Sequence, residues 1–125
     1  MIISETWCGD SAQNIPYIAK IAGLNPQIDF QIILRDVYPH IMDMYLTNGT
    51  RSIPILVAFD ESGNELFRWG PRTQEAKKLF TDLKALGLEM PAVLEKLHLW
   101  YGRNRGKNLE AEMREAIRKT LLTLH

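Results

Sequence analysis

The sequence predicts an α/β fold: a four-stranded mixed sheet in the order βαβαββα, extended by two C-terminal helices. Three observations predict it. Short apolar runs first alternate with helix-period segments, the pattern of parallel strands joined by crossover helices. Two later apolar runs flank Asp60-Glu61-Ser62-Gly63-Asn64, which reads as an antiparallel hairpin with a loop longer than two residues. After Gly87 only helical periodicity is left.

Ile2 and Ile3, with Thr6, open a short strand that runs into a turn at Cys8. Asp10 to Ala22 reads as a helix, because Ile15, Ile18, Ala19, Ile21 and Ala22 recur near the 3.6-residue period. Pro16 falls inside this helix and should kink it, and Gly23 suits its end. Asn25-Pro26 is a breaker. Phe30, Ile32, Ile33 and Leu34 form a second strand whose nearly continuous apolar run predicts burial on both faces. Asp36 to Leu46 reads as a short helix closed by Asn48-Gly49. Ile53 to Phe59 is the third strand, with Pro54 at its start, and Glu65 to Trp69 is the fourth. Gly70-Pro71 breaks the strand, and Thr73 to Leu86 follows as an amphipathic helix with Ala76, Leu79, Phe80 and Leu83 inward.

Residues 1–88 therefore form a core and residues 89–125 a two-helix extension. Pro91 to Tyr101 and Leu109 to Leu124 are its helices, joined by a loop rich in Gly and Arg, with Asn108 as the N-cap of the second. Leu94, Leu97 and Trp100 stripe one helix; Leu109, Met113, Ile117, Leu121 and Leu124 stripe the other. Neither stripe can be left bare in water. Packing on the core of the same chain is favoured over a homodimer interface, with Trp100-Tyr101 in the contact. Arg103, Arg105 and Lys107 read as solvated charges near a helix C-terminus.

At 125 residues, 46% hydrophobic and 24% charged, the chain has the length and composition of one globular domain. No apolar run approaches the length of a membrane span, so no membrane partner is expected. Net charge is zero. Residues 1–60 carry three Lys/Arg against six Asp/Glu and residues 61–125 twelve against nine, too weak an asymmetry for a nucleic-acid footprint. His40, His98 and His125 lack metal-ligand spacing, and one cysteine cannot build a structural zinc site. That lone cysteine also excludes an internal disulfide and fits a reducing, cytoplasmic location. Met1-Ile2-Ile3 is already strand-like, with no signal-peptide pattern, and the chain is expected to begin late relative to its full gene product.

The run Trp7-Cys8-Gly9-Asp10-Ser11 places the cysteine where the first strand gives way to a helix. A helix N-terminus offers unpaired N–H groups and the positive end of the backbone dipole. Both favour the thiolate, which is the nucleophile. A lone cysteine is equally a small buried hydrophobe when nothing around it suggests chemistry. Asp10 stabilises a helix N-terminus while its charge opposes a neighbouring thiolate, and the dipole is expected to prevail. Ser11 could donate its hydroxyl to the sulfur or serve only as a first-turn residue.

The chain resembles the thioredoxin superfamily over about residues 1–86. Trp7-Cys8-Gly9 matches the family's active-site opening, and Pro16, eight residues after the cysteine, matches the proline that kinks the active-site helix. Arg51-Ser52-Ile53-Pro54 resembles the segment whose cis proline lies against the sulfur, and Gly63 and Gly70 match two structural glycines. Three positions depart. Ser11 stands where dithiol members carry a second cysteine, Asp10 replaces the intervening proline, and Ile2 replaces the buried acid that some thioredoxins carry. The family's first strand and helix are absent, so the remaining order resembles the smaller glutaredoxin-like core, and the extension could cover a face left open there.

The resemblance implies a three-layer thioredoxin-like fold and thiol–disulfide exchange through a mixed disulfide at Cys8. Ser11 cannot resolve that intermediate, so an outside thiol must: glutathione or another low-molecular-weight thiol as co-substrate. Catalytic candidates are Cys8, Ser11 and Asp10. Candidates for holding substrate are Trp7, Gly9, Ile53 and Pro54, with the Ile53 backbone pairing an extended peptide or glutathione as an added strand. The partners implied are protein or small-molecule thiols and disulfides, met by a monomer or a homodimer. Two other readings stand beside this one. One is a redox-inactive thioredoxin-fold binding module gripping a partner through Trp7, Ile53 and the extra helices. The other is a glutathione-assisted iron–sulfur carrier, which Cys8-Gly9-Asp10-Ser11 resembles only loosely.

Overall fold

The structure, a computed structural model, describes residues 1–123. Leu124, assigned above to the second tail stripe, and His125 lie outside the described residues. The elements are β1 (Ile2–Ser4), α1 (Gly9–Ala22), β2 (Ile32–Leu34), α2 (Pro39–Met42), β3 (Ile55–Phe59), β4 (Glu65–Trp69), α3 (Gln74–Ala85), α4 (Met90–Asn104) and α5 (Lys107–Thr123). The four strands form one mixed sheet in the order β2-β1-β3-β4. β1 and β2 run parallel, Ile3 opposite Ile33; β3 is antiparallel to both β1 and β4. This is the mixed α/β architecture that the sequence predicts.

Successive residues of a strand point to opposite faces, and β1 divides the core accordingly. Ile2 joins Ile18 of α1, Leu56, Trp69, Leu109 and Met113. Ile3 joins Met42, Tyr45, Ile53, Ile55 and Val57. Both isoleucines are wholly buried. The layer over the Ile2 face is thus α1 together with the first half of α5, while α2 and the segment after it cover the Ile3 face. The extension does not sit on the Ile3 face. It supplies Leu109 and Met113 to the same side as α1. The apolar face of α3 turns to α4 rather than to the sheet: Ala76 packs with Leu97 and Tyr101, backed by Leu79, Phe80 and Trp100.

Three sequence expectations are corrected. β2 is an edge strand, and Ile32 and Leu34 are exposed. Of its residues only Ile33 packs against a core cluster, and no strand pattern encodes what covers a strand. The helix expected over Asp36 to Leu46 is only Pro39–Met42. Pro39 disfavours helical geometry at Tyr38, which sits at φ −122° and ψ 59°. Beyond Tyr45, Thr47 and Thr50 pair through two backbone hydrogen bonds, closed by Asn48 and Gly49, both at positive φ. Lastly, Asn108 is not an N-cap. α5 starts at Lys107, and the Asn104 side chain accepts a hydrogen bond from the Asn108 backbone N–H at 3.1 Å. The joint between α4 and α5 is only Arg105, in the left-handed conformation, and Gly106 at φ +74°. A Cβ on Gly106 would strike the Tyr17 ring, so α5 can turn back onto α1 only with glycine there.

Candidate active site

Cys8 is the N-cap of α1, in extended geometry at φ −78° and ψ 119°. Its carbonyl accepts from Ala12 N–H, the first turn of the helix, and its own N–H donates to the Glu5 carbonyl. The side chain is half-buried, and the thiol donates to the Ile53 carbonyl at 3.5 Å. The Ile53–Pro54 peptide bond is cis. Cys8 packs against the buried cluster on the Ile3 face of the sheet. Its sulfur thus sits at the start of α1, where the first-turn N–H groups have no intrahelical acceptor, makes no capping bond to them, and bonds the Ile53 carbonyl instead. The carbonyl can bond only the protonated thiol.

Across from Pro54, Gly70 closes the same end of the sheet at φ +123°. A Cβ there would collide with the Pro54 carbonyl, so this close approach excludes every other residue. Beside it a cavity of about 210 Å3 is lined in part by Ile55, Trp69, Gly70 and Arg72. The Gly70–Pro71 bond is also cis, a feature the sequence reading did not anticipate.

Trp7 stands 64% exposed beside the cysteine, and the Arg35 guanidinium lies over its ring, 5.0 Å from the centroid. Arg35 also donates to the Arg51 carbonyl, tying the end of β2 to the segment that leads into Ile53. Ser11 is buried and takes a hydrogen bond from the Ser4 hydroxyl at 2.8 Å. No hydrogen bond joins Ser11 to Cys8 among the described residues. Ser11 therefore stitches α1 to β1.

Asp10 occupies a different environment from the one its place in the motif suggests. Its carboxylate forms a two-point ion pair with Arg72, at 3.1 Å to Nε and 2.9 Å to the terminal nitrogen. It also accepts from the Tyr101 hydroxyl at 2.8 Å. Asn14, buried, donates to that hydroxyl and to the Asp10 backbone carbonyl. The Asp10 and Arg72 side chains are only 14% and 19% exposed, so water screens this pair less than a surface pair. Burial first, and the Asp10 charge next, push the Tyr101 phenol well above its ordinary range and keep it a donor. The Arg72 guanidinium also lies 4.1 Å from the Phe80 ring centroid.

Gly9 meets the extension as well. A Cβ built on it would stand 3.0 Å from His98 Cε1 and 3.1 Å from Nε2, so glycine lets α4 come close to the motif. His98 Nδ1 lies 3.3 Å from the Gln13 amide. Gly9 is thus a helix-contact position in addition to an opening of the site.

The structure brings Cys8 against the Ile53 carbonyl, at the cis bond to Pro54, and leaves Trp7 exposed beside them. It directs Asp10, Gly9 and Ser11 elsewhere, to Arg72 and Tyr101, to His98, and to Ser4. Sequence reasoning missed Arg72, Tyr101, Asn14, His98 and Ser4. Asn14 four residues after Asp10, on the same face of a helix, was the one local signal. Arg72 and Tyr101 lie 62 and 91 residues from Asp10 and share no spacing with it.

Among the described residues, no helix is long and apolar enough to cross a membrane, and no group of three or more His, Cys, Asp or Glu is placed to hold a metal ion. Comparison with curated proteins gave no match, and neither did comparison with solved structures. A family model described as thioredoxin matches residues 1–84, which include β1 through nearly all of α3 and the Cys8–Ile53 contact. With that match over two thirds of its length, on a four-stranded mixed sheet with Cys8 capping α1, the chain belongs to the thioredoxin family.

Proposed function

We propose that this protein is a monothiol thiol–disulfide oxidoreductase that works through Cys8. The observation that carries the reading is the position of the sulfur, at the α1 N-cap and against the Ile53 carbonyl, with serine three residues on. The Cys8 thiolate attacks a disulfide R–S–S–R′. A Cys8–S–S–R bond forms, the S–S bond of the substrate breaks, and R′–S⁻ leaves and takes a proton. An outside thiolate then attacks the mixed disulfide, takes R–S as a new disulfide and returns Cys8 as thiolate. Glutathione or another low-molecular-weight thiol fills that role, since Ser11 has no sulfur and is held by Ser4.

Trp7 offers a flat, exposed apolar surface to the substrate, and the Ile53 backbone offers a strand-like edge. The reaction fits a reducing compartment such as the cytoplasm, with protein or small-molecule disulfides as substrates.

The test pairs wild type with Ser11→Cys. Wild type incubated with oxidised glutathione should accumulate a Cys8–glutathione adduct, seen as one added glutathionyl mass. Ser11→Cys should instead form an internal disulfide across the Cys-x-x-Cys spacing and gain insulin reduction with dithiothreitol. If neither protein reacts at Cys8 while both stay folded, the site is a redox-inactive grip for a partner. Visible absorbance of anaerobically prepared protein would indicate cluster binding in place of exchange.

A further inference from the structure

Asp10 lies two residues from Cys8, and its charge should oppose a thiolate there. Two features of the fold counter it. At 3.6 residues per turn, residues two apart point to roughly opposite sides of a helix. Asp10 therefore leaves the axis on the side away from Cys8, toward α4. There Arg72 pairs both carboxylate oxygens and the Tyr101 hydroxyl takes up one of them again. Neither partner belongs to α1. Arg72 precedes α3, and Tyr101 comes from the C-terminal extension.

We propose that Arg72 and Tyr101 are positioning residues for the Cys8 reaction: they hold the Asp10 carboxylate on the far side of α1 and balance its charge, so that the helix N-terminus can stabilise a thiolate. The proposal rests on the reading of Cys8 as the nucleophile. It gives the extension a part in the chemistry without direct contact with substrate. It also accounts for an acid at a helix start where a thiolate must form. As half of a neutral pair, Asp10 fastens α1 to α4 with little electrostatic effect on the sulfur.

Other charged and titratable groups face this end of the molecule. His98 of α4 lies over Gly9, with its Nδ1 against Gln13. Arg35, at the end of β2, lies over Trp7 and pairs with Asp36. Glu5 accepts from the Asp36 N–H. The hydrogen bonds and ion pairs of these groups use none of Asp10, Arg72 and Tyr101, and the His98–Tyr101 ring contact, 6.2 Å between centroids, keeps its ring in Tyr101→Phe.

The experiment is the pH profile of Cys8 alkylation by iodoacetamide, measured on the full chain from pH 5 to 9. Circular dichroism monitors folding of each variant. Arg72→Gln leaves the Asp10 charge unbalanced, so the profile should move to higher pH and alkylation at pH 6 should slow about three- to tenfold. That is the size expected for one unit charge several ångströms from the sulfur in a partly solvated site. Asp10→Asn should move the profile the other way, since Arg72 is then the unbalanced charge. The double variant should return close to wild type, which simple loosening of the fold would not do. Tyr101→Phe should move the profile in the direction of Arg72→Gln by a smaller amount, and it serves in place of Arg72→Gln if that variant does not fold.

A reactive wild type with unmoved profiles in Asp10→Asn and in the folded member of the other two would overturn the proposal while leaving Cys8 as the nucleophile. A wild-type Cys8 that alkylates like a free thiol and forms no adduct with oxidised glutathione would remove the reading itself, and the proposal with it.

Discussion

The two sides of the first turn of α1 are built differently. On the sulfur side, Cys8 makes a single long thiol–carbonyl bond to Ile53, next to an exposed tryptophan. On the Asp10 side, a buried asparagine, a two-point ion pair and a phenol join α1 to two distant segments. One side is open and loosely held, as a site that must admit and release a substrate sulfur requires. The other is closed and over-determined. Reactive groups are best placed on rigid elements, and here the rigidity comes from across the helix and largely from the extension.

Removing the extension tests that comparison most severely. Val93, Leu97, Leu109 and Met113 are buried. Complete burial of each such side chain is worth roughly 1.5–3 kcal/mol, which together matches or exceeds the net stability of a small domain. Truncation after Gly87 also exposes Trp69 and Ala76 and frees Asp10 from Tyr101. The truncated chain should lose its cooperative urea transition and aggregate. A folded monomer with wild-type Cys8 alkylation would show that the closed side is dispensable.

A milder test separates the two halves of α5. Leu109 is 1% exposed in the cluster with Ile2 and Trp69, whereas Ile117 is 41% exposed. Leu109→Ala should cost about 2–5 kcal/mol in urea unfolding. Ile117→Ala should fall within roughly 0.5 kcal/mol of wild type, as surface changes do. Equal costs would mean that the distal half of α5 is covered in solution.

Tyr101→Phe is the smallest change on the closed side. It deletes hydrogen bonds to a carboxylate and to Asn14 and should cost about 1.5–3 kcal/mol, the range for bonds to charged groups. The pH dependence gives a second readout. The folded-state pKa of Tyr101 is raised above the ordinary value near 10. The unfolded chain therefore gives up this proton first. The stabilisation is complete below about pH 10 and declines as pH rises toward the folded-state value. Urea midpoints measured from pH 9 to 11 should fall for wild type, and Tyr101→Phe should remove that share of the slope. Parallel slopes in the two proteins would place the alkaline sensitivity elsewhere.

Much of the sheet was legible along the chain because it is built from local signals. Alternating apolar runs, turn residues at Ser62-Gly63, and Pro and Gly at the element ends mark β1, β3, β4 and α1 to within a few residues. β2 and α2 were misread in part for the same physical reason. A run of apolar residues shows that a strand can be buried, and whether it is depends on what lies above it. Ile32 and Leu34 lack such a cover. For α2, a helix and its stop at Asn48-Gly49 were legible, but Pro39 and the Thr47–Thr50 turn confine the helix to one turn.

By itself, the sequence determined the order of strands and helices, the place of Cys8 at a helix start, and the amphipathic character of the tail. These follow from backbone propensities and side-chain periodicity, which act over a few residues. Only the tertiary structure decided which face of the sheet α5 covers, that α3 packs on α4, and that Asp10 belongs to Arg72 and Tyr101. Such pairings depend on how whole elements cross in space. A charge at residue 10 finds its partners 62 and 91 residues away because the chain folds back on itself there, and no spacing in the sequence carries that information.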